Sequence, residues 1–245
     1  MTPERQARRP TVQPSRTFVA GIDGCRGGWV VVKVPAVSDG GGAAVECVAD
    51  LRSVIADLDS GRLAAAGIDV PIGLPPSGPR QCDVEARRLI GPRRSSVFPA
   101  PARGVLGATN YTDALERSRT VSGKGISKQA FNILVKIASV DAVMSPERQR
   151  HLVEAHPEVC FRILARGPLS YGKRTPEGRA ERLKALRGPF PDVDNVSVDR
   201  PPGTGPDDVL DAFVAAWTAR RWLANDFVRL GGDLDERGLR MEMIA

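Results

Sequence analysis

The segment GIDGCRGGW, residues 21–29, decides the fold prediction because a carboxylate stands where a hydrophobic strand gives way to a glycine-rich turn. TFVA precedes it and VVVKV follows it. Two apolar runs on either side of a glycine-rich turn predict two strands joined as an antiparallel hairpin. Asp-Gly is also a common turn pair. Asp23 is therefore either a turn residue or the first member of a catalytic set.

The elements that follow are three further strands and a helix. VECVAD (45–50) and LAAAGIDV (63–70) read as strands. Between them, LRSVIADLDS (51–60) has apolar residues at helical spacing. LVEAHPEVCF (152–161) reads as a fifth strand that ends near Glu158. This order predicts an α/β fold with a mixed five-stranded sheet flanked by helices.

The remaining apolar periodicity is helical. CDVEARRLI (82–90) and SKQAFNILVKIASVDAVM (127–144) predict helices within an insertion at about 75–150. PEGRAERLKALRG (176–188) predicts a short basic helix. A strong final helix begins at GPDD (205–208), because proline is favoured in the first turn of a helix and acidic residues there offset its dipole.

These elements divide the chain into three parts. Residues 1–16 are basic and lack the apolar core of a signal peptide, so we predict a disordered N-terminal segment. Residues 17–230 are predicted to form a single domain that includes the insertion, and residues 231–245 a C-terminal tail. A chain of 245 residues, of which 42% are hydrophobic, is long enough to bury one substantial core.

The composition narrows the class of protein. A formal net charge of +6 favours an anionic partner such as nucleic acid. The four cysteines are scattered without a C-x-x-C pair, which argues against a zinc knuckle and a disulfide framework and fits the reducing cytoplasm. Only two histidines are present, which disfavours a histidine-rich metal site. The sequence has no apolar run of the ~18 residues expected of a membrane span, so we predict no membrane partner.

Carboxylates stand at the ends of several predicted elements. Asp23 ends the first strand, Asp69 ends the fourth, and Glu158 ends the fifth, while Asp208 and Asp211 share one face of the final helix. If the first and fourth strands are parallel neighbours, their acids meet at one end of the sheet, where the final helix can pack beside them. Magnesium and manganese prefer such oxygen ligands, and two ions ~3.5–4 Å apart can hydrolyse a phosphodiester. We therefore predict a two-ion Mg²⁺ or Mn²⁺ site.

Asp211 has the fewest ordinary explanations among these acids. At ~100° per residue it lies about 60° from Val214, so it borders the packed face of its helix. An unpaired carboxylate there is costly, and a divalent cation would be a suitable partner. The other acids have alternatives. Asp69 can cap its own turn, Asp208 can offset the helix dipole, and Glu158 can pair with a nearby arginine.

Basic and polar residues near the turns are candidates for substrate binding. They can contact a phosphate backbone, or they can form a solvated basic face. The candidates are Arg26, Arg103, Lys124, Lys128 and Gln129.

Two motif-like patterns are rejected. GPLSYGKR (167–174) has the G-x-x-x-x-G-K spacing of a P-loop, but Arg174 stands where a Ser or Thr would hold magnesium, and no apolar strand precedes it. His156 and Cys160 suggest a thiol–imidazole pair, but both flank one strand end, and simple packing there is the better explanation.

Several motifs together resemble a known family. The pattern of acids on the first strand, after the fourth strand and on the final helix resembles the ribonuclease H-like superfamily, and DDVLDAFVAA resembles its Holliday junction resolvase branch. More closely, the chain resembles domain-of-unknown-function family 429. The motifs that carry this resemblance are GIDGCRGGW, GIDVPIGLP, SSVFPAPAR, GKGISKQAFNI, EAHPEVCF and DDVLDAFVAAW, which span about residues 20 to 225.

The resemblance implies a ribonuclease H-like nuclease whose substrate is not established. It implies that Asp23 and Asp69 are metal ligands and that Asp208 and Asp211 supply the helix carboxylates, all four being catalytic. Glu158 lies in a family motif without a counterpart in the resolvases, so its place as a further metal ligand rests on that motif alone.

Three functions follow as hypotheses. The leading one is a metal-dependent nuclease that hydrolyses phosphodiester bonds in DNA or RNA by a two-metal carboxylate mechanism. The second is a non-catalytic module of the same fold that binds nucleic acid or protein. The third is a nucleotide or sugar-phosphate enzyme, against which the absence of an internal repeat argues. The sequence predicts no oligomeric state.

Overall fold

The computed structural model describes residues 17–37 and 42–245. The basic segment 1–16, which is predicted to be disordered, lies outside the described residues.

A mixed five-stranded sheet with the order β3-β2-β1-β4-β5 forms the centre of the molecule. β1 and β2 form the predicted antiparallel hairpin, with Cys25 opposite Gly28 at its turn. β2 and β3 are also antiparallel, whereas β1, β4 and β5 run parallel. The predicted α/β architecture with a mixed five-stranded sheet is confirmed. The strands are β1 Phe18–Cys25, β2 Gly28–Pro35, β3 Ala44–Val48, β4 Leu63–Ile68 and β5 Leu152–Glu154.

Helices cover both faces of the sheet. Alternate residues of a strand point to opposite faces, so Ala20 and Ile22 join one core and Val19 and Cys25 join the other. The first core contains α1 and α5, and the second contains α6, α7 and α9. The helices are α1 Arg52–Asp59, α2 Gln81–Ile90, α3 Tyr111–Ser122, α4 Lys128–Asn132, α5 Leu134–Val143, α6 Pro157–Leu164, α7 Pro176–Leu186, α8 Val193–Val198 and α9 Pro206–Leu223.

The insertion between β4 and β5 contains α2 to α5. The helix predicted over 127–144 is divided at Ile133 into α4 and α5, and Ser127 caps α4 by accepting a hydrogen bond from the Ala130 backbone at 3.1 Å. α3 was not predicted, although Asn110 caps it in the usual way by accepting from the Asp113 backbone at 3.0 Å. α3 and α4 share a small core of their own with the preceding loop.

The fifth strand is shorter than the sequence predicts. β5 ends at Glu154, and Glu158 lies in the first turn of α6 instead of at a strand end. Pro157 explains the correction. Its ring suits the first turn of a helix, and its missing N–H cannot extend a sheet ladder. His156 before it is extended, as a residue before proline usually is.

Residues 231–245, assigned to a tail from the sequence, lie mostly in a second, two-stranded sheet. β6 (Arg229–Leu234) and β7 (Arg240–Ile244) form an antiparallel hairpin with an irregularity near Gly231. Met243 and Ile244 are buried, and Gly231 lies against Cys82 of α2. The C-terminal segment is therefore part of the packed structure.

Within residues 17–37 and 42–245, none of the helices has the length and apolar character needed to cross a membrane.

Candidate metal centre

Two strands bring Asp23 and Asp69 to one end of the sheet. Each acid follows a Gly-Ile pair, and the parallel register sets Gly21 opposite Gly67 and Ile22 opposite Ile68. The Asp69 backbone N–H donates to Ile22 O at 2.9 Å and continues the ladder. Since residues two apart share a face, each aspartate lies on the same side as its glycine. The first and fourth strands are therefore parallel neighbours, which is the arrangement that the convergence of Asp23 and Asp69 requires.

The final helix α9 brings the third carboxylate to the same place. A Cβ built on Gly21 would lie 1.8 Å from Ala212 O, and one on Gly67 would lie 2.5 Å from Ala215 O. The backbone of α9 thus rests directly on the two strands, which only glycine permits. Asp211 precedes Ala212, so this close approach places its side chain beside the strand acids.

Three carboxylates converge at this point. One ligand oxygen from each of Asp23, Asp69 and Asp211 lies within 4.8 Å of the others. Asp211 is 1% exposed and Asp23 is 8% exposed. Asp23 Oδ1 accepts from the Gly24 backbone at 2.6 Å, whereas Asp211 Oδ1 is buried without a hydrogen-bond partner in the described part of the chain. Such a set of oxygen ligands with an unsatisfied atom could hold a metal ion.

The acids strongly affect one another's ionisation. Burial raises the pKa of Asp69 and of Asp211 to about 6, although the positive charge of Lys173 acts against it. Burial also raises the pKa of Asp23 well above its usual range, and the charges of Asp69 and Asp211 add to this effect. The cluster therefore carries an electrostatic cost that a bound cation would relieve.

Lys173 is a member of the site that the sequence analysis missed. Its Nζ lies 2.6 Å from Asp211 Oδ2, and its side chain is 37% exposed. Although burial acts to lower it, the charges of Asp211, Asp69 and Asp23 raise the pKa of Lys173, so the side chain stays protonated. Lys173 belongs to the GPLSYGKR segment that was rejected as a P-loop. The lysine in this glycine-containing loop was the sequence feature that could have identified it as a site residue.

The two other predicted metal ligands have partners of their own. Asp208 lies in the first turn of α9, where its Oδ2 accepts from the Gly205 backbone at 2.7 Å. Glu158 is buried in α6 and accepts a hydrogen bond from Arg182, with Arg93 3.5 Å from its second oxygen. These contacts match the alternatives given for the two acids. Asp208 lies at the helix N-terminus, and Glu158 pairs with an arginine. Among the described residues, neither acid belongs to the converging group.

The predicted substrate-binding residues lie in different places. Arg103 binds three carboxylates, with Nη1 2.8 Å from Asp141, Nη2 2.5 Å from Asp235 and Nε 3.1 Å from Glu236. Its role in the structure is to join the insertion to the C-terminal hairpin, so the prediction of a phosphate contact is not supported. Arg26, Lys124 and Lys128 are exposed and do not line the cavity beside the acids. Gln129 does line it.

A cavity of about 530 Å³ opens onto Asp23 and Asp69. Its lining carries the basic side chains of Arg93, Lys136, Lys173 and Arg174. The Lys136 Nζ donates to Gly28 O at 2.5 Å and lies 4.3 Å from the centre of the Trp29 ring, which holds this charge near the β1–β2 turn. The cavity therefore combines an acidic floor with walls that carry these basic side chains, and the two wall carboxylates, Glu154 and Glu158, are each paired with an arginine.

A buried ion-pair network supports the loop that follows Asp69. Arg80 is 1% exposed and donates to both oxygens of Glu154 at 2.7 Å and to Asp83 at 2.7 Å. Glu154 also accepts from the Ile72 backbone at 2.7 Å. The network thus fixes the chain just beyond Asp69. The three-residue spacing of Arg80 and Asp83 is compatible with a pair on one helix face. The pairing of Arg80 with Glu154, 74 residues away, has no signal in the sequence.

Comparison with known proteins identifies a family. A family described as "Protein of unknown function (DUF429)" matches residues 21–236, a span that contains all three converging acids. No curated protein and no solved structure matches the chain.

Proposed function

We propose that this protein, which belongs to the DUF429 family, is a metal-dependent phosphodiesterase that hydrolyses nucleic acid. The observation that carries the proposal is the convergence of Asp23, Asp69 and Asp211 from three distant parts of the chain, within 4.8 Å of one another. Carboxylates gathered in this way against their mutual repulsion are typical of a cation site, because a bound cation offsets the repulsion.

The charge balance of the site fits a divalent cation. The three acids carry three negative charges when ionised, and Lys173, in contact with Asp211, supplies one positive charge. The remaining two charges match Mg²⁺ or Mn²⁺, and both ions accept ligand sets made only of oxygen. The buried and unpartnered Oδ1 of Asp211 would gain the partner that it lacks.

The surroundings favour an anionic substrate. With the acids compensated by a cation, the basic residues of the cavity lining leave it positively charged. Arg174 is exposed at the cavity and forms no ion pair with any residue that the structure describes, so it is available to a phosphate. The overall charge of +6 acts in the same direction by attracting nucleic acid at long range.

The residues divide the catalytic work. Asp23, Asp69 and Asp211 hold the cation, and the Gly24 N–H fixes the Asp23 carboxylate through Oδ1. A bound Mg²⁺ or Mn²⁺ supplies Lewis acidity and lowers the pKa of a bound water. Lys173 Nζ lies at the edge of this group, where it stabilises negative charge that develops on the phosphate.

The proposal requires one cation. A second ion, as the two-metal mechanism predicts, would need further ligands such as Asp208 or Glu158, and each of these binds another group in this structure. The second ion therefore stays a prediction. A metal titration that measures the number of ions bound per chain can test it.

The ribonuclease H-like fold and the cytoplasmic setting are part of the same proposal. The first is supported by the acids on β1, just after β4 and on α9, which meet as the resemblance implies. The second is supported by four cysteines that are all free thiols.

The test is cleavage of end-labelled single-stranded, duplex and branched DNA and RNA with Mg²⁺ or Mn²⁺. We expect Asp23→Asn, Asp69→Asn and Asp211→Asn to lower the rate by more than about 100-fold, beyond the 10–100-fold that loss of an outer partner of a metal ligand costs. Asp226→Asn is the matched control, because its side chain is 78% exposed and lies just beyond the C-terminal end of α9, away from the acids.

Unchanged activity in the Asp23 and Asp211 variants would exclude this mechanism. Tight, salt-dependent binding of nucleic acid without turnover, preserved in all variants, would favour the non-catalytic binding module instead.

A further inference from the structure

Asp23 and Asp69 lie at the floor of a half-open cavity, and its walls come from several separate parts of the chain. The loop after β4, the insertion, the start of α6 and the loop before α7 all contribute. The insertion provides much of this wall, through Ser96, Phe98, Gln129, Ile133 and Lys136. Asp211, at 1% exposure, lies behind this floor, with one carboxylate oxygen within 4.8 Å of Asp23 and Asp69.

The size of the cavity limits what can reach the acids. A volume of about 530 Å³ lies within the ~300–1,000 Å³ typical of sites for small molecules, and it suits one nucleotide. The major groove of B-DNA alone is ~12 Å wide. A duplex therefore does not fit, whereas a single nucleotide does.

We propose that the substrate is the free end of a single-stranded nucleic acid, of which one terminal nucleotide enters the cavity. This inference rests on the proposed phosphodiesterase function and specifies its substrate. Phe98 and Ile133 give the wall apolar surface against which a base can stack. Lys136 and Arg174, which form no ion pair with any described residue, give it the positive charge that phosphates require.

The reaction then removes one nucleotide at a time. A water oxygen forms a bond to phosphorus, and the bond from phosphorus to the ester oxygen of the adjoining nucleotide breaks. That oxygen takes up a proton, so one water is consumed for each mononucleotide released. The shortened strand keeps a free end and can enter again.

The decisive experiment compares a linear single strand with a covalently closed circle of the same sequence, as DNA and as RNA, with Mg²⁺ or Mn²⁺. Bis(p-nitrophenyl) phosphate serves as a small diester in parallel. We expect the linear strand to be shortened stepwise to mononucleotides, the small diester to be hydrolysed, and the circle to stay closed.

The other outcomes separate this inference from the proposed function. A circle opened as fast as the linear strand is cut would overturn the inference and leave the phosphodiesterase in place. Hydrolysis of the small diester alone would overturn the inference and the nucleic-acid substrate of the proposed function, and it would leave only the metal-dependent cleavage of phosphodiesters in place. Hydrolysis of none of the three would remove both.

A pair of phenylalanine variants tests the wall itself. Phe98 and Phe131 pack against the same small core of the insertion, but only Phe98 lines the cavity. We expect Phe98→Ala to raise KM for the linear strand by about tenfold, the loss of one stacked base, and to leave Mn²⁺ affinity unchanged. Phe131→Ala should leave KM unchanged. Equal effects of the two variants would mean that Phe98 supports the insertion and does not contact substrate.

Discussion

Asp211 carries the least satisfied atom in the site. Its Oδ2 accepts from Lys173 Nζ at 2.6 Å, but its Oδ1 is buried without a partner in residues 17–37 and 42–245. A buried oxygen of this kind costs free energy, and two more carboxylates lie beside it. Lys173 compensates part of this charge, so the lysine and a metal ion act on the same carboxylate.

Replacement of this lysine tests the shared role. We expect Lys173→Met to lower the free energy of unfolding of the metal-free protein by about 1–3 kcal/mol. That is less than the 3–5 kcal/mol of a fully buried pair, because the Lys173 side chain is 37% exposed. Saturating Mn²⁺ should then raise Tm by more in this variant than in the wild type, as thermal unfolding with and without the ion would measure.

Lys128→Met is the matched control for this prediction, because Lys128 is exposed and lies outside the cavity. A smaller Mn²⁺-induced shift in Lys173→Met than in the wild type would contradict the prediction. It would show that the lysine assists ion binding instead of competing with it.

Single residues differ in how far the sequence reveals their roles. Asp211 could be placed at a packed face because a helix has a fixed angle per residue. Asp208 and Glu158 carry the same functional group, but each finds a partner nearby, a helix N-terminus or an arginine. Sequence spacing does not show whether such a carboxylate binds a metal ion or a neighbouring group of the protein. Lys173 reaches Asp211 from a loop 38 residues away, and such a contact is set by the tertiary fold.

The contact of α9 with β1 and β4 is the structural element that assembles the site. Gly21 and Gly67 remove the side chains that would hold the helix away, and Ala212 and Ala215 present a smooth helix surface to them. The acids lie two residues beyond each glycine, on the same face. The packing of this helix and the geometry of the acids are therefore coupled.

A methyl group at this contact should disturb both the packing of α9 and the geometry of the acids. We expect Gly67→Ala, whose Cβ would lie 2.5 Å from Ala215 O, to lower the free energy of unfolding by about 1–3 kcal/mol and to weaken Mn²⁺ binding. Gly188→Ala is the control, because it is exposed and its Cβ would meet no atom within 4 Å. Urea unfolding and a Mn²⁺ titration measure the two effects. Lower stability with unchanged Mn²⁺ affinity would show that the helix contact does not position the acids.

Whole elements were predicted where the local pattern is strong. The hairpin of β1 and β2 and the long helix α9 have clear periodicity and turn signals, and both are confirmed. β5 was extended too far because the apolar residues of 157–161 serve equally well in a buried helix. The β6–β7 hairpin was missed because its glycines and charges read as a tail, while its stability comes from packing on α2.

Two of the buried groups of charges in the described part of the molecule differ in their balance. Arg80 is bound by Asp83 and Glu154, and backbone N–H groups of Ile72 and Ala100 complete the hydrogen bonds of these acids. This network satisfies itself and holds the loop beyond Asp69. The three converging acids, in contrast, outnumber Lys173, which contacts Asp211. Without a bound cation, the acid cluster therefore has excess negative charge, whereas the acids of the Arg80 network have hydrogen-bond partners of their own.

This imbalance predicts how stability depends on pH in the presence of a chelator. Burial raises the pKa of Asp211 to about 6 in the folded protein, against ~3.9 in an unfolded chain. Between these values the folded state binds a proton that the unfolded state does not, so stability falls as pH rises. The cost is absent below pH ~4 and fully present above the folded pKa. Asp69 acts in the same direction.

Asp211→Asn removes this titration, so its Tm relative to the wild type isolates the effect. We expect the metal-free variant to melt a few degrees above the wild type at pH 7, at ~2–4 °C per kcal/mol, and the gap to close as the pH falls to 4. Saturating Mg²⁺ at pH 7 should reverse the order, because only the wild type retains all three ligands. A metal-free wild type that is the more stable of the two at pH 7 would contradict this, since Lys173 would then fully compensate the charge of Asp211.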